Sequence, residues 1–447
     1  MTLILADWMV VGADEPPRRR WGVRVVGTTI DATGSHDDLR ASYPDDEVVD
    51  GAGRLLLPGF VNAHVHLYGV LAHGIPVDTA PDGFWSFLED YWWPKVEDAL
   101  DHDMIEAAAD WVCADMLRSG ITTFYDILEA PNAVPDALMV EKAVVERRGL
   151  RGILSFEATE RAGPRIAELG LAENVRLIEA CRDDELVSGM MCFHTTFTCS
   201  DGYIRRAFEL AADLGVLTHA HCNEGVHEGR WCEEHKGKRT VEHYVDLGVV
   251  DLGAVAGGAG GTGFLASQCV QVSDRERELI AEHGIKVAHM PLANCEVGGG
   301  IAPIPEFLDA GVTVGLGSDG YINDFYAVMR GAFLLHKARL LDPGTMPAAT
   351  VLAMATEGGA RALGLEAVGR LEPGWSADLQ LIDGSFPTPV TEHNLFEQVV
   401  LWRNPSHVDA VMVAGRWRVR AGQVLDADLD ALAARTQEQA RRLWSRA

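Results

Sequence analysis

Short apolar runs recur along the whole chain, and their surroundings divide it into parts. From Thr2 to about Leu57, runs such as LILADWMV and WGVRVV alternate with turn-rich polar segments, the pattern of strands in a small sheet. After about Gly369 the runs ADLQLID and HVDAVMVAGRWRVRAG return to the same pattern. The two ends therefore predict one β unit, made from residues 1–57 and 369–447 with a terminal helix, and interrupted by residues 58–368.

Within 58–368, strand-like runs alternate with segments of helical length and period. The runs are LLLPGFVNAHVH, GITTFYD, RGILSFEA, GMMCFH, GVLTHAH, GFLASQCV, IKVAHM and GVTVGLGSD. DHDMIEAAADWVCADMLRSG and DGYIRRAFELAADLG are representative helices, with Gly120 and Gly215 where helix C-caps belong. Eight apolar strands each followed by a helix, over some 300 residues, predict an α/β fold of the (β/α)8 TIM-barrel class. An open doubly wound sheet would carry a glycine-rich phosphate loop after its first strand, and none stands there. The run GAVAGGAGGTG (253–263) precedes a strand, so it reads as a flexible connection rather than a nucleotide loop.

The 447 residues are 47% hydrophobic and 23% charged, enough for a large core. With 38 Lys+Arg against 66 Asp+Glu the net charge is -28, a field that repels phosphate backbones and argues against a nucleic-acid partner. No apolar run approaches the ~18 residues of a membrane span, and MTLILADWMV lacks a basic flank and a small-residue cleavage site. The eight Cys form no CxxC pair, and several lie in apolar runs, as buried reduced thiols do. These features predict a soluble, cytoplasmic protein with no membrane partner.

The chemistry-bearing residues gather at the C-terminal ends of the predicted strands, where barrel enzymes place their active sites. His64 and His66 end the first strand two positions apart, hence on one face. The fifth ends His219-Ala-His221-Cys-Asn-Glu224, a second same-face pair followed by a carboxylate, and the eighth ends Gly317-Ser318-Asp319. Three imidazoles and one carboxylate with a position left for water suit a single catalytic divalent ion, Zn2+ or Fe2+.

With PGFVNAHVHLYG (58–69), SGITTFYD (119–126), FHTTFTCSD (193–201), HAHCNEGVHE (219–228), HMPLANCEVGGGIAPI (289–304), GLGSDG (315–320) and GRLEPGWSADLQLID (369–383), the chain resembles the amidohydrolase superfamily. Its likeness is to the mononuclear-metal aminohydrolases, such as adenosylhomocysteine, guanine and cytosine deaminases and the triazine hydrolases. The resemblance implies a metal-dependent barrel joined to a small β-sandwich formed by both termini. It implies one divalent metal, with Zn2+ ahead of Fe2+, held by His64, His66, His221 and Asp319. Asp319 also takes the proton of the attacking water, Glu224 shuttles protons, His194 contacts the substrate, and His219 stands behind the ligands. The implied reaction is deamination of an amino-substituted nitrogen heterocycle or related amidine; loss of another leaving group, opening of a cyclic amide, or ligand binding without turnover are the alternatives. The resemblance also suggests a homodimer.

The chain departs from the pattern at the sixth strand. The relatives end it in a His within a stretch like AHCVH, and here Ala266-Ser267-Gln268-Cys269-Val270-Gln271 puts Gln268 in that place. An amide can hydrogen-bond water or substrate but carries no proton near neutral pH. His289, ending the seventh strand, is a candidate substitute. A second metal would call for a carboxylated Lys on a middle strand, and the fourth strand ends in His194 instead. In GFWSFLEDYWWPKVE (83–97) the aromatic spacing suits core packing, and Trp85 alone is placed near substrate. EEHKGKRTVEHY (233–244) reads as a solvated helical surface.

Overall fold

A computed structural model describes residues 1–77, 81–252, 263–320 and 322–446. The terminal segments unite as expected. Strands β1 (Thr2–Met9), β2 (Arg18–Val26), β3 (Thr29–Ser35) and β4 (Glu47–Pro58) share one sheet with four strands from the far end of the chain. Those are β14 (Leu379–Asp383), β15 (Val408–Val413), β16 (Arg416–Arg420) and β17 (Gln423–Val424). The sheet order is β17-β16-β15-β14-β4-β1-β2-β3. β14 pairs antiparallel with β4, Leu381 opposite Leu56, which is the join between the two ends of the chain. Hydrogen bonding joins all eight strands in one sheet. It curls: the tip Thr28–Ile30 reaches Trp375–Ala377, with Ile30 N donating to Trp375 O and Ala377 N to Thr28 O. Ile4, Val23, Leu56, Leu379 and Met412 fill the space enclosed.

The chain leaves this sheet at Pro58-Gly59. Gly59 is required there, because a Cβ would lie 2.1 Å from Thr122 Oγ1. The central strands follow: β5 (Phe60–Val65), β6 (Ile121–Leu128), β7 (Arg151–Phe156), β8 (Val187–Gly189), β9 (Met191–Cys192), β10 (Leu217–Cys222), β11 (Gly263–Gln268), β12 (Lys286–His289) and β13 (Val314–Leu316). They form two parallel sheets, β5-β6-β7-β8 and β13-β12-β11-β10-β9. All eight predicted strands are present, but the fourth is broken at Met190 into β8, which pairs with β7, and β9, which pairs with β10. Such all-parallel sheets are buried on both faces, and every residue of β5, β6 and β10 is buried accordingly. At the other junction, the amides of Ser318 and Asp319 both donate to His64 O at 3.0 Å.

The predicted helices form with the expected ends. Asp101 caps His102–Arg118 by accepting from Met104 N, and Ser200 caps Asp201–Leu214 by accepting from Tyr203 N. Gly215 closes the second helix in the left-handed conformation, and Gly120 follows the C-cap of the first at φ +81°. The 233–244 stretch departs from a uniformly solvated surface: Thr240, Val241, His243 and Tyr244 are buried. The glycine-rich 253–262 lies outside the described residues, so its reading as a connection is untouched.

Candidate active site

Because side chains alternate along a strand, His64 and His66 project from β5 and its end to one side, as do His219 and His221 from β10. His64 Nε2 and His66 Nε2 approach to 3.3 Å, and one ligating atom from each of His64, His66 and His221 falls within 4.8 Å of the others. The other ring nitrogens are engaged. His66 Nδ1 donates to Ile127 O at 2.7 Å, His221 Nδ1 meets Glu157 Oε1 at 2.6 Å, and His64 Nδ1 is 2.7 Å from Ser267 Oγ. Three Nε2 atoms are thus turned toward a common point, each ring held from behind, as metal-ligating imidazoles are. Asp319 Oδ1 lies 3.7 Å from His66 Nε2, and Asp319 has φ +60°. Among the described residues, the three imidazoles are spaced to hold one divalent ion of borderline softness, and Asp319 stands beside His66.

His219 shares the inward face but reaches Ser267 Oγ at 2.5 Å and Cys192 Sγ at 3.2 Å, so it braces His64 through Ser267. Burial and the neighbouring imidazoles hold both His64 and His219 well below the ordinary imidazole range. His221 behaves oppositely: burial opposes its charge, but Glu157 raises it to about 9. Glu157, which burial would raise, is held low by His221 and His194. Glu157 directly follows β7 and was not singled out from the sequence, although a carboxylate closing the strand-like run RGILSFEA was a visible signal.

The site opens into a cavity of about 410 Å³, lined by His66, His194, His221, Glu224 and Asp319 on its floor. Glu224 leaves β10 just before the helix Val226–Lys236, and burial, then Asp319, raises its carboxyl to about 8. The turn carrying it is pinned by Asn223, at φ +51°, a conformation Asn tolerates. Asn223 N donates to Glu228, its Nδ2 to Glu276 Oε1 at 2.9 Å, and its Oδ1 accepts from Thr240 Oγ1 at 3.0 Å. His194 faces the cavity with Nδ1 against Thr198 Oγ1 at 2.9 Å; burial lowers it to about 3, so the ring is neutral.

Gln268 adopts φ +74° at the end of β11. Its Nε2 donates to Asp319 Oδ2 at 2.8 Å and its Oε1 accepts from Asn294 Nδ2 at 2.5 Å. His289 does not replace it: fully buried, it turns to His336 with 3.1 Å between Nε2 atoms and does not line the cavity. Nor is Trp85 a cavity residue. Its ring stacks on His227, with centroids 3.9 Å apart, while Phe84, Phe87, Tyr91, Trp92 and Trp93 form the wall. Glu97 also lines the cavity, accepting from Tyr68 OH at 2.8 Å and from Arg161 at 2.9 Å.

Residues 55–418 match the model of the amidohydrolase family, and the chain belongs to that family. It is an enzyme of the carbon–nitrogen hydrolase class, a metal-dependent hydrolase of the deaminase type. Among its relatives, the 5-methylthioadenosine/S-adenosylhomocysteine deaminase of Syntrophobacter fumaroxidans is 32% identical, over 98% of each chain. The 5'-deoxyadenosine deaminase of Methanothermobacter thermautotrophicus is 33% identical, over 85% of each. The crystal structure of an adenosine deaminase from Xanthomonas campestris with bound zinc superposes with a TM-score of 0.87 at 26% identity, covering 99% of this chain and 98% of that one.

Proposed function

We propose that this enzyme deaminates a 6-aminopurine nucleoside, using one Zn2+ ion held by His64, His66, His221 and Asp319. The convergence of three imidazole Nε2 atoms at the floor of an aromatic-walled cavity that contains Glu224 and Asp319 carries the reading. Relatives bearing adenosine-type deaminase names along nearly the full length support the substrate class. A volume of about 410 Å³ is in the range of sites that enclose small ligands. The finer architecture goes with this reading: residues 58–368 act as a (β/α)8 barrel carrying the site, and 1–57 with 369–447 as a layered β unit beside it. We also read the enzyme as cytoplasmic.

A divalent ion held by His64, His66, His221 and Asp319 would lower the pKa of a water toward neutrality. The chain's own residues then divide the proton work. Asp319 accepts the water's proton. Glu224, raised to about 8 and so protonated at neutral pH, donates to a ring nitrogen beside the amino-bearing carbon, which makes that carbon more electrophilic. The water's oxygen bonds to that carbon; as the carbon–nitrogen bond breaks and ammonia departs, the proton held by Asp319 passes to the amine, and the remaining hydroxyl proton returns to Glu224, leaving a carbonyl and the starting acid. Neutral His194 hydrogen-bonds the heterocycle, and the aromatic wall stacks on it and excludes water.

Zinc-loaded enzyme given adenosine, 5'-deoxyadenosine and 5'-methylthioadenosine is expected to release ammonia stoichiometrically, and Glu224→Gln to lose ~10²–10⁴ of kcat while keeping its zinc. Full turnover by that variant would remove Glu224 from the mechanism; no ammonia from any 6-aminopurine would remove the substrate assignment.

A further inference from the structure

The aromatic segment that walls the cavity is attached differently at its two ends. At its C-terminal end the hold is polar: Arg161 reaches Glu97 and Asp98 at 2.9 and 2.8 Å, and Tyr68 OH donates to Glu97 at 2.8 Å. At its N-terminal end the hydrogen bonds among the described residues are internal, from Asp82 N to Ser86 Oγ, from Ser86 Oγ to Gly83 O and from Phe87 N to Gly83 O. Ring packing joins this end to the rest of the protein, and it lands on Glu224-Gly225-Val226-His227. Phe84 lies on Gly225, where a Cβ would fall 2.7 Å from Phe84 Cδ1 and 3.0 Å from its Cβ. The backbone of Gly225, at φ -117° and ψ 177°, is one that any residue adopts, so the missing side chain there serves the Phe84 contact. Trp85 stacks on His227 with centroids 3.9 Å apart and 11° between the planes, and Phe197 closes edge-on against both at 5.5 and 5.0 Å. His227 Nε2 is buried without a hydrogen-bond partner among the described residues, so stacking is what sets that ring.

Resting on the deaminase reading, we propose that Trp85 is a positioning residue for Glu224: with Phe84 it docks the aromatic wall on the turn that carries the acid, so that wall and proton donor are set as one body. The other side of that turn is already fixed. Gly299 packs on Glu224 O, where a Cβ would lie 2.7 Å away, while Gln271 N donates to Asn223 O at 2.8 Å and Gln271 Nε2 to Gly299 O at 2.6 Å. Between this support and the two rings, the peptide of Glu224 is gripped from both sides. Removing the Trp85 ring frees His227 and the first turn of the helix Val226–Lys236, and Glu224 with it. Proton transfer needs heavy atoms about 2.6–3.2 Å apart, and a displacement of about 1 Å can cost about 10²-fold in rate. Phe87, Tyr91 and Trp92 still face the cavity without Trp85, so substrate stacking survives while proton donation falls.

A double-mutant cycle on zinc-loaded enzyme turning over adenosine separates positioning from packing. Trp85→Ala is expected to lower kcat about 10- to 100-fold with KM within about threefold and zinc content unchanged, and Trp85→Phe, which keeps a ring over His227, to recover most of the loss. In a Glu224→Gln background the same Trp85→Ala change is expected to cost less than about twofold in kcat, because the group it positions is gone. Gly225→Ala, whose methyl must displace Phe84, repeats the cycle from the other contact and stands in should Trp85→Ala fail to fold. The full loss in both backgrounds, or a raised KM with kcat unchanged, overturns the proposal. Hydrogen exchange at the amides of residues 223–228 reads the docking without turnover: it is expected to quicken about tenfold in Trp85→Ala, and unchanged exchange overturns the proposal as well. Quickened exchange in an enzyme that releases no ammonia from any 6-aminopurine would sink the deaminase reading and leave the docking standing, whereas wild-type turnover with unchanged exchange in the variant would do the reverse.

Discussion

The side-chain amide of Gln268 is fixed from both ends, giving a hydrogen to Asp319 Oδ2 at 2.8 Å and taking one from Asn294 Nδ2 at 2.5 Å. Asn294 thereby decides which way the amide faces, since a flipped Gln268 would set its oxygen against the Asp319 carboxylate. A hydrogen bond to a charged group contributes about 1.5–3 kcal/mol. Gln268→Leu is therefore expected to lower kcat/KM by roughly 10- to 100-fold with zinc content by mass spectrometry unchanged. Gln268→His is expected to add an acid limb near pH 6–7 to the kcat/KM profile, from the new imidazole. An unaltered profile in that variant would mean the position does not communicate with the reacting groups.

Metal uptake should depend on proton concentration through His221. Glu157 holds this imidazole at about 9 in the metal-free protein, so the ring is protonated at neutral pH, and a metal ligand must be neutral. Binding then expels one proton, and apparent zinc affinity should fall about tenfold per pH unit as pH drops below about 9. Glu157→Gln removes the counter-charge, flattens that slope near neutrality, and costs about 10- to 100-fold in affinity through loss of ring orientation. Competition against a chromophoric chelator across the pH range measures both.

A second buried acid pair lies away from the cavity. Burial lifts Asp126 to about 7 against the hydrogen bond from Leu67 N, and burial with the Asp126 charge lifts Glu141 well above the carboxylate range. Acids raised on folding contribute stability that is whole at low pH and lost as pH climbs through their folded pKa, here about 7 and above. Glu141→Gln leaves only one group to ionise. Its melting temperature should decline less than wild type's between about pH 5 and about pH 9; parallel declines would discount the pair.

Gly317 sits against the metal site from beneath. A Cβ there would fall 2.8 Å from His64 Cβ and 2.9 Å from Met290 Sδ. Gly317→Ala is expected to displace His64, costing about 1–3 kcal/mol of stability and lowering zinc stoichiometry together. Denaturant titration with metal analysis reads both, and a destabilised variant that kept full zinc would separate packing from coordination.

The parts of this site that were legible in the sequence are those set by local geometry. Alternation along a strand puts His64 beside His66 and His219 beside His221 whatever the rest of the chain does. Partners reached across strands were not legible, because no spacing rule ties Glu157 to His221 or Asn294 to Gln268. The partner of His289 belongs with these: whether a strand-end ring points to the cavity or to a helix such as Phe325–Leu340 is a packing outcome. Trp85 stacks on His227, a partner about 140 residues away that no local spacing announces, while the π-helical turn Phe87–Trp92 lies between Phe84 and Trp93 on the cavity wall. In the fold, the pairing of both termini followed from their strand-like patterning, while the break at Met190 and the curl of the terminal sheet depend on long-range hydrogen bonds that composition does not encode.

In the proposed coordination each central sheet supplies part of the ligand set. His64 and His66 come with β5, whereas His221 and Asp319 come with the strands from β10 to β13, and the backbone meeting point is the doubly used His64 carbonyl. A cation gripped by both groups would therefore be a rivet as well as a reagent. Half-molecules of this enzyme should be unable to retain it, and its loss should loosen the molecule first along that shared border rather than within either half.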